Sequence, residues 1–429
     1  MLNSMLIFYD IIYILFTLCY LPVFLLRGKY HRGFLMRVGI FPQGVIAKLK
    51  GRRVVWLHTV SVGEAQAAGA LVRNLRQGYP DYFLLISTVT RTGNEIAQRL
   101  IGPEGLVIYS PLDIGFVVRR VANLINPRLF IIAETEIWPN LIINLAKKGV
   151  AVVLVNGRIS RNSFRGYKII RPFLKEVFRK FSLFCMQTKE DAQRIVSLGA
   201  DEDKVKVTGN MKFDIQPTAH SPQPIDLGLK QNEQLFIAGS THRGEEKIIL
   251  RVYKELIKNY PNLRLLIAPR HIERTREIEG LINRFGFKAQ KVSRIDLAQY
   301  AIRNTQYAIL ILDTVGQLKD LYAFAEFVFI GGSLIRHGGQ NPIEPAVFSK
   351  PILFGPYMSN FSNVARAFLN KKAAVTVKDA RQLKNNCLRL LDNPVLRKEL
   401  GERAKEVVRE NKGATLKNTE LIRRWINES

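Results

Sequence analysis

Apolar and polar residues alternate along the chain in a pattern that predicts parallel β-sheets covered by helices. In the first half, short apolar runs are interspersed with stretches of helical periodicity, such as 65–75, 93–100 and 113–125. The apolar runs predict strands at 54–58, 83–88, 106–110, 129–133, 151–156, 183–187 and 205–208. Because a strand buried on both faces is apolar throughout, this half is predicted to contain a parallel sheet between two layers of helices.

The same alternation restarts after a segment at 214–231, which is rich in Pro, Ser, Gln and His and lacks periodicity, as linkers do. Further strands are predicted at 234–238, 263–268, 308–312, 327–330 and 351–354, with helical stretches at 245–259, 274–285 and 396–426. The predicted fold class is therefore α/β, with two Rossmann-like parallel-sheet domains and a cleft between the carboxyl ends of the two sheets.

An apolar segment precedes both domains, since residues 5–26 are interrupted only by Asp10, Thr17 and Pro22. Basic residues follow it at once, whereas a cleavable signal peptide carries its positive charge before the apolar run. We therefore interpret 1–27 as an uncleaved membrane-anchor helix, followed by domains at 28–213 and 233–429 that a linker at 214–232 joins. The last helix of the second domain can pack back on the first.

The basic residues after the anchor predict how the domains are oriented. Arg27, Lys29 and Arg32 place them on the cytoplasmic side of the membrane by the positive-inside tendency. The clean apolar part, 11–26, is short for the roughly 20 residues of a spanning helix. Two alternatives therefore stay open, namely a helix that lies partly in the membrane plane and the buried first helix of a soluble domain.

The chain is strongly basic, with 64 Lys and Arg against 36 Asp and Glu and a formal net charge of +28. This charge favours anionic partners such as nucleic acid, an acidic membrane surface or phosphorylated substrates. The basic residues are spread along the chain without an RNP-like or helix-turn-helix pattern, which speaks against nucleic-acid binding. The three cysteines form no C-x-x-C pair, so neither a disulfide scaffold nor a structural zinc site is predicted.

Candidate chemical groups of the first domain stand at the ends of predicted strands. In WLHTVSVGEAQAA (56–68), Glu64 lies in the first turn of a helix, where a capping role competes with that of a general base. In AETEIWPN (133–140), Glu134 and Glu136 follow a buried strand and, as residues i and i+2, can converge. Lys212, in VTGNMKFD at the start of the linker, is placed to reach an anionic ligand in the cleft.

Turns of the second domain carry signals of phosphate binding. AGSTHRGEE (238–246) and APRHIER (268–274) each end a predicted strand, and the latter brings Arg270 and His271 to the strand end. FIGGSLIRHGGQNPIEPAVF (329–348) combines two glycine pairs with a Pro-opened helix, whose start can face a phosphate while Glu344 bridges ribose hydroxyls. The phosphate-binding signature of P-loop ATPases is absent, and the spacing of His and carboxylate residues predicts no catalytic metal.

Together and in order, these motifs resemble those of the Kdo transferases, which act on 3-deoxy-manno-octulosonic acid, the first inner-core sugar of lipopolysaccharide. The matching segments cover nearly the whole chain and are RGKYHRGFLMRVG, SVGE, TRTG, AETEIWPN, NGRIS, TGNMKFD, the GST and PRH turns, DTVGQL and GGS…NPIEP. The resemblance implies a GT-B fold and transfer of Kdo from CMP-Kdo to the lipid A precursor, lipid IVA, at the cytoplasmic face of the inner membrane. No cofactor is expected besides this donor substrate, and an anionic membrane surface is the expected partner.

The resemblance also implies roles for individual residues. Glu64 matches the family's general base, and Glu134 and Lys212 match residues that support the transition state. The CMP-binding segments correspond to Pro269, Arg270, Val315, Gly316, Gln317, Asn341, Pro342, Ile343 and Glu344. The family usually has Glu where this chain has Gln317, which puts a side-chain role there in doubt and leaves a backbone contact intact.

Two other functions remain as alternatives to this interpretation. The first is a GT-B transferase that uses a UDP-sugar and another membrane lipid, against which the SVGE and AETEIWPN motifs speak. The second belongs to another class and is a membrane-tethered basic module that binds nucleic acid.

Overall fold

The computed structural model describes residues 2–26, 33–60, 62–214, 227–295 and 309–427 of the 429-residue chain. The chain forms two compact units. Unit 1 comprises Met1–Asp214 with Asn411–Ser429, and unit 2 comprises Ile215–Glu410. Most of the predicted linker, and the basic residues 27–32 that follow the predicted anchor, lie outside the described residues.

Unit 1 is built on a seven-stranded sheet with parallel pairing throughout. Its strands are β1 (Arg53–His58), β2 (Tyr82–Thr88), β3 (Leu106–Tyr109), β4 (Leu129–Ala133), β5 (Ala151–Gly157), β6 (Leu183–Met186) and β7 (Val205–Val207). Its N-terminal helices are α1 (Leu2–Leu26), α2 (Phe34–Arg37), α3 (Gln43–Leu49), α4 (Val62–Gly78), α5 (Arg91–Ile101), α6 (Gly115–Ile125), α7 (Pro139–Lys147), α8 (Arg161–Ile169), α9 (Arg171–Phe178) and α10 (Lys189–Leu198). The strand order, β3-β2-β1-β4-β5-β6-β7, reverses between β1 and β4, as in doubly wound folds.

The apolar runs of unit 1 form strands because helices cover both faces of the sheet. Along β1, Trp56 points into one apolar cluster and Val55 into another, and neighbouring Phe130 and Ile131 of β4 divide in the same way. All strands predicted for this half are present, and each end lies within one residue of its predicted position. Continuous burial on both faces therefore explains why the sequence pattern was sufficient here.

Unit 2 repeats this design with a second seven-stranded parallel sheet in the order β10-β11-β9-β8-β12-β13-β14. Its strands are β8 (Gln234–Thr241), β9 (Leu263–Pro269), β10 (Ala289–Lys291), β11 (Ile309–Ile311), β12 (Phe327–Ile330), β13 (Ile352–Phe354) and β14 (Val375–Thr376). Its helices are α11 (Glu245–Leu256), α12 (Thr275–Arg284), α13 (Leu318–Leu321), α14 (Ile343–Val347), α15 (Ser362–Asn370), α16 (Ala380–Asp392) and most of α17 (Pro394–Asn411). The predicted fold class of two Rossmann-like parallel-sheet domains is confirmed.

The sequence pattern fails in unit 2 where elements are short or end at a glycine. It does not predict β10 or β14, because these edge strands have only two or three half-buried residues and no apolar run. The single helical stretch predicted at 396–426 is wrong. The chain instead forms α17, then α18 (Ala414–Ile422) and α19 (Arg424–Asn427), with a break at Gly413, whose φ of 99° interrupts the helix.

The C-terminal helices α18 and α19 belong to the core of unit 1. Ala414, Ile422 and Ile426 lie in the same apolar cluster as side chains of α4. The hydroxyl of Tyr82, at the start of β2, donates a hydrogen bond to the carbonyl of Ile426 at 2.7 Å. The last residues of the chain therefore complete the first unit.

Helix α1 has one side packed against unit 1 and one side exposed. On the packed side, Leu2, Leu6 and Tyr13 contact the core, and Asp10 accepts a hydrogen bond from the Asn140 amide at 2.7 Å. Large apolar residues on the other side are 50–66% exposed, namely Ile7, Phe8, Ile11, Ile12, Leu15, Phe16 and Leu18. Among the helices that the structure describes, α1 is the one long and apolar enough to cross a membrane, by length and composition alone.

Candidate functional site

Glu64 lies where β1 leads into α4, at the carboxyl edge of the unit 1 sheet. β1 ends at His58 and α4 begins at Val62, so Glu64 is in the first helical turn. Its side chain is buried, and its Oε2 accepts the backbone N–H of Val60 at 2.6 Å. This is a capping contact of the kind that competes with the catalytic interpretation of the sequence. A carboxylate with several lone pairs can make this contact and still accept a proton.

Glu134 and Lys212 form a largely buried ion pair in the same unit. The Lys212 Nζ lies 2.8 Å from Glu134 Oε1, and the two side chains are 14% and 19% exposed. Glu134 follows β4 directly, with a φ of 59° that costs a non-glycine residue about 1–2 kcal/mol. Its N–H donates to the carbonyl of Val155 at 2.9 Å, which helps hold this conformation. The sequence marked both residues as candidates, and the structure joins them.

Glu136 lies close enough to this ion pair for the charge of Glu134 to act on its carboxyl group, as the i and i+2 spacing predicts. Burial, together with the negative charge of Glu134, raises the pKa of Glu136 to about 6. A carboxyl group with such a pKa can gain or lose its proton near neutral pH. Glu136 is therefore a buried carboxyl group beside the ion pair with a pKa closer to neutrality than usual.

The short turn that carries Lys212 is held by side chains that sequence reasoning left without a role. The Asn156 Oδ1 accepts the N–H of Met211 at 3.0 Å, and the Asn210 Oδ1 accepts the N–H of Lys212 at 3.0 Å. Asn156 is the buried next-to-last residue of β5 and has a φ of 55°, a conformation that asparagine adopts more readily than most residues. An Asn-Gly pair at the end of an apolar strand is the signal that could have pointed to it.

Asp214 connects the same turn to the C-terminal helices. Its two carboxylate oxygens accept the N–H groups of Gly413 and Thr415, each at 2.6 Å, at the start of α18. An anionic side chain at a helix start is favoured by the helix dipole. The position of Lys212 therefore depends on residues from the far end of the chain.

His58 ends β1 as a fully buried, uncharged imidazole. Its Nδ1 lies 2.8 Å from the Ser87 Oγ, which also accepts the indole N–H of Trp56 at 2.8 Å. Burial lowers the pKa of His58 to about 3, so the ring is neutral near pH 7. Within the described part of the chain, neither His58 Nε2 nor the indole nitrogen of Trp138 has a hydrogen-bond partner, and their rings lie 6.1 Å apart.

In unit 2, Glu245 organises the turn that contains the first pair of glycines. It begins α11, and its buried carboxylate accepts four backbone N–H groups, from His242, Gly332, Ser333 and Leu334, at 3.0, 2.6, 2.9 and 3.0 Å. Burial raises its pKa, although these four hydrogen bonds act in the opposite direction. Glu245 was not among the predicted site residues, and its four partners give it a structural role.

Beside this turn, unit 2 gathers histidine and arginine side chains. The rings of His242 and His337 have centroids 3.7 Å apart, and those of His242 and His271 are 5.9 Å apart. Burial, the two other histidines and the positive charge of Arg270 lower the pKa of His242 to about 4. Such a cationic surrounding favours a bound anion. Arg270 and His271 directly follow β9, at the strand end where the sequence predicts them, and His242 and His337 join this group. That these residues bind an anion stays a prediction.

The Asn-Pro segment opens a helix, as the sequence predicts. Helix α14 begins at Ile343 directly after Pro342, and the Asn341 Oδ1 accepts the Ile343 N–H at 3.0 Å. The Asn341 amide also donates to Glu344 Oε1 at 3.2 Å. Burial raises the pKa of Glu344, and this hydrogen bond counters part of the effect. The hydrogen bond from Asn341 therefore orients the Glu344 side chain at the start of α14.

The remaining predicted CMP-binding residues lie at the carboxyl end of β9 and in the loop before α13. Pro269 is the last residue of β9. Val315 is 71% exposed, and Gly316 has a φ of 96°, which suits glycine. The Gln317 side-chain oxygen accepts a hydrogen bond from the Thr314 hydroxyl within the same loop. The Gln317 side chain is thus engaged within its own loop, and a backbone contact to a ligand at this position stays a prediction.

Groups of three or more His, Cys, Asp or Glu side chains able to hold a metal ion are absent from the described ranges. That catalysis proceeds without a metal stays a prediction.

The two parallel-sheet units define a GT-B-type fold. The solved structure of a glycosyltransferase from Rickettsia africae ESF-5 is similar, with a TM-score of 0.58 and 14% identity, covering 88% of this chain and 100% of that one. At this identity the likeness supports the fold class alone.

Sequence comparison then gives the family. The profile of the 3-deoxy-D-manno-octulosonic-acid transferases (Kdo transferases) matches residues 32–215. A 3-deoxy-D-manno-octulosonic acid transferase from Haemophilus influenzae is 32% identical over 417 residues, which is 96% of each chain. One from Chlamydophila psittaci is 30% identical over 93% of this chain and 91% of its own length. The chain belongs to the Kdo transferase family, which confirms the resemblance seen in its motifs.

Proposed function

We propose that this chain transfers Kdo from CMP-Kdo to a hydroxyl of the lipid A precursor, lipid IVA, in lipopolysaccharide biosynthesis, with inversion at the anomeric carbon. Family membership supports the transfer of Kdo. The observation that carries the proposed site is the ion pair between Glu134 and Lys212, at 2.8 Å, in the unit that also holds Glu64. All three residues lie within the segment that matches the family profile.

Glu64 is the general base in this proposal. It takes the proton of the acceptor hydroxyl while that oxygen attacks the anomeric carbon from the face opposite the leaving CMP. The new C–O bond forms as the bond to the phosphate breaks, so a single displacement inverts the configuration. The Val60 N–H and the N-terminus of α4 both favour the ionised carboxylate, which is the form that a base needs.

Lys212 and Glu134 support the charges that develop on the sugar. Kdo is a keto sugar with a carboxylate next to its anomeric carbon, and the Lys212 ammonium is the proposed partner of that carboxylate. An ammonium has three N–H donors, so this role is compatible with the ion pair to Glu134. The negative charge of Glu134 in turn favours the oxocarbenium character of the transition state.

Residues of unit 2 are proposed to bind CMP. Arg270 and the backbone N–H groups near Asn341 neutralise the phosphate as it leaves, and Glu344 binds the ribose hydroxyls. Pro269 and the loop from Val315 to Gln317 complete the nucleotide contacts. The proposed reaction uses neither a cofactor nor a metal, so we expect full activity in the presence of a chelator.

The membrane assignment rests on α1 and on the charge of the chain. The exposed apolar side of α1 supports anchoring in a lipid bilayer, and the net charge of +28 supports attraction to anionic lipids. We propose that the protein works at the inner membrane with both units in the cytoplasm, next to an acceptor that stays in the bilayer.

The mass of the reaction product tests this function. Purified full-length protein is incubated with CMP-Kdo and a tetraacylated lipid A precursor in detergent, and the lipid is analysed by mass spectrometry. The expected product is heavier by whole Kdo residues, and CMP is released. Transfer from a UDP-sugar in place of CMP-Kdo would contradict the proposal and favour the related GT-B alternative.

A further inference from the structure

Three neighbouring strands of unit 2 end beside one group of histidine and arginine side chains. In the sheet order, β8 lies between β9 and β12, and all three strands run parallel. Arg270 and His271 follow β9, His242 follows β8, and His337 lies in the loop after β12. These side chains converge because parallel strands end at the same edge of the sheet. We name His242 and His337, whose ring centroids are 3.7 Å apart, the histidine pair.

Several backbone N–H groups at this edge of the sheet are already used. The Glu245 carboxylate accepts four of them, including those of Gly332 and Ser333 in the turn after β12. Helix α11 also begins with two carboxylates, those of Glu245 and Glu246, which disfavour an anion at its N-terminus. A phosphate beside this turn therefore depends on side chains more than on the backbone of the glycine pair.

Two arginines near the histidine pair already have anionic partners. Arg274 pairs with Glu246 at 2.7 Å, and Arg243 pairs with Glu277 at 2.8 Å. Arg270 is exposed and forms no ion pair with the residues that the structure describes. The charged or titratable groups that face the pair are Arg270 and His271 after β9, Arg274 before α12, Glu245 of α11 and Arg336 beside His337. Arg270 is thus the cation that remains available to an external anion beside the pair.

Contacts from other segments hold the histidine pair in place. The side-chain nitrogen of Gln340 lies 3.1 Å from Nε2 of His242, which is buried. The Asn360 amide donates a hydrogen bond to the carbonyl of His337 at 3.2 Å, and the His337 ring is exposed above His242. Gly332 allows the close approach of the turn, since a Cβ there would lie 3.1 Å from Cδ2 of His242. The pair therefore presents one exposed ring and one buried ring to the same edge of the sheet.

Burial and nearby positive charges disfavour protonation of the histidine pair. Burial, followed by the charges of its cationic and histidine neighbours, lowers the pKa of His242 to about 4. A phosphate dianion beside the rings would reverse much of this effect, because an opposite charge favours the charged form of a titratable group. Two imidazolium rings at this distance repel each other, so the pair can gain at most one proton.

We propose that the histidine pair belongs to the phosphate subsite of the nucleotide and binds one proton together with the phosphate of CMP. The pair then becomes cationic only when a phosphate is bound, and it holds the dianion together with Arg270. The phosphate of CMP-Kdo is a diester with one negative charge, whereas released CMP carries a second charge above a pKa of about 6. The pair therefore favours the charge that develops on the leaving phosphate. The inference rests on the proposed function, because CMP is the leaving group of that donor.

Isothermal titration calorimetry counts the protons that bind together with CMP. Full-length protein in detergent is titrated with CMP at pH 7 in PIPES and in imidazole, two buffers with different ionisation enthalpies. The dependence of the observed heat on the buffer gives the proton uptake, which we expect to be about half a proton to one proton per CMP. The affinity for CMP should fall about twofold to fivefold between pH 7 and pH 8. Cytidine, which lacks the phosphate, should bind without proton uptake.

Three variants locate the proton. His337→Arg places a permanent cation beside His242 at an exposed position, so CMP should still bind, without proton uptake and without the loss of affinity between pH 7 and pH 8. The double variant His242→Gln and His337→Gln should lose the uptake and bind CMP more weakly. The control, His58→Gln, removes a histidine from unit 1 and should leave the uptake unchanged. Circular dichroism checks that each variant is folded.

Proton uptake and Kdo transfer are measured on the same preparation, so the inference and the proposed function can fail separately. CMP binding without proton uptake, in a protein that transfers Kdo, would overturn the role of the histidine pair and leave the function intact. Uptake with CMP but not with cytidine, in a protein that does not transfer Kdo, would support the phosphate subsite and contradict the function. Equal uptake with cytidine, or uptake that persists in His337→Arg, would overturn the inference, because the proton would then bind elsewhere.

Discussion

Both units place a glutamate in the first turn of the helix that follows their first strand, and the two glutamates make different contacts. In unit 1, Glu64 follows β1, and its Oε2 bonds to Val60, four residues earlier. In unit 2, Glu245 follows β8, and its carboxylate reaches three N–H groups in the turn after β12, 87 to 89 residues away. The first contact is local to one helix start, whereas the second joins two distant segments of the fold.

The comparison teaches that an early helix glutamate is not by itself a sign of catalysis. Both positions satisfy the helix dipole, and both side chains are buried. The distinction comes from what else the carboxylate binds, which depends on chain segments that meet only in the folded protein. Substitutions at the two positions should therefore change different properties, stability for Glu245 and turnover for Glu64.

The largest effect is expected for Glu245→Ala. Four buried N–H groups would lose a charged acceptor, so the free energy of unfolding of unit 2 should fall by about 3–5 kcal/mol. Chemical denaturation followed by circular dichroism measures this. The control is Glu255→Ala on the same helix, since Glu255 pairs with exposed Lys258 and should leave the midpoint nearly unchanged. Equal midpoints for both variants would mean that the Glu245 hydrogen bonds contribute little.

Glu64→Gln should keep the fold and the affinity for CMP while lowering turnover at least ~100-fold, the scale of a lost general base. The Gln side-chain oxygen can still accept the Val60 N–H, so the cap survives without the base. Product formation in detergent provides the measurement. Glu95→Gln, at an exposed position of α5 paired with Arg91, is the control. Near-normal turnover in a folded Glu64→Gln variant would show that Glu64, like Glu245, has a structural role and is not the general base.

Glu344 is a third glutamate in the first turn of a helix, and it can be compared with Glu245 within unit 2. Glu344→Ala should weaken CMP binding by roughly 1.5–3 kcal/mol, the scale of hydrogen bonds to a charged group. Titration calorimetry with CMP measures the affinity, with Glu402→Ala on α17 as an exposed control. If the affinity for CMP were unchanged, Glu344 would serve only the start of α14.

The smallest effect, taken over a single pH unit, concerns buried His58 of unit 1. Its pKa is lowered to about 3 in the folded protein, so the unfolded chain binds more protons between pH 6.5 and 3. Stability from neutral His58 is therefore complete above pH 6.5 and is lost as the pH falls through this range.

Relative to His58→Gln, the parent should lose up to about 1.4 kcal/mol of unfolding free energy per pH unit in that range. Other groups that titrate in unit 1, such as Asp113 with a pKa raised to about 7 by burial, are shared by both proteins and cancel in the difference. Urea titrations at a series of pH values give this difference. A constant difference would show that His58 is not held neutral by burial.

The sequence was sufficient for features that depend on local pattern. Apolar runs gave both sheets, because each central strand is buried on two faces, and Asn341 with Pro342 marked the start of α14. Contacts between distant segments could not be predicted from local sequence pattern. They include the pairing of Lys212 with Glu134, the four partners of Glu245 and the hydrogen bond from Asn140 to Asp10. These contacts follow from which strand ends the topology brings together.

Because α18 and α19 belong to unit 1, the two units finish folding in an order opposite to that in which they begin synthesis. Unit 1 lacks Ala414, Ile422 and Ile426 of its core, and the partners of Asp214, until residues 413–426 have been translated. About 200 residues of unit 2 emerge in between, which takes roughly 10 to 40 s at about 5–20 residues per second. Unit 2 can thus finish folding on the ribosome first, although it begins second. A nascent chain therefore completes the core of unit 1 only after all of unit 2 has been synthesised, long after α1 has left the ribosome.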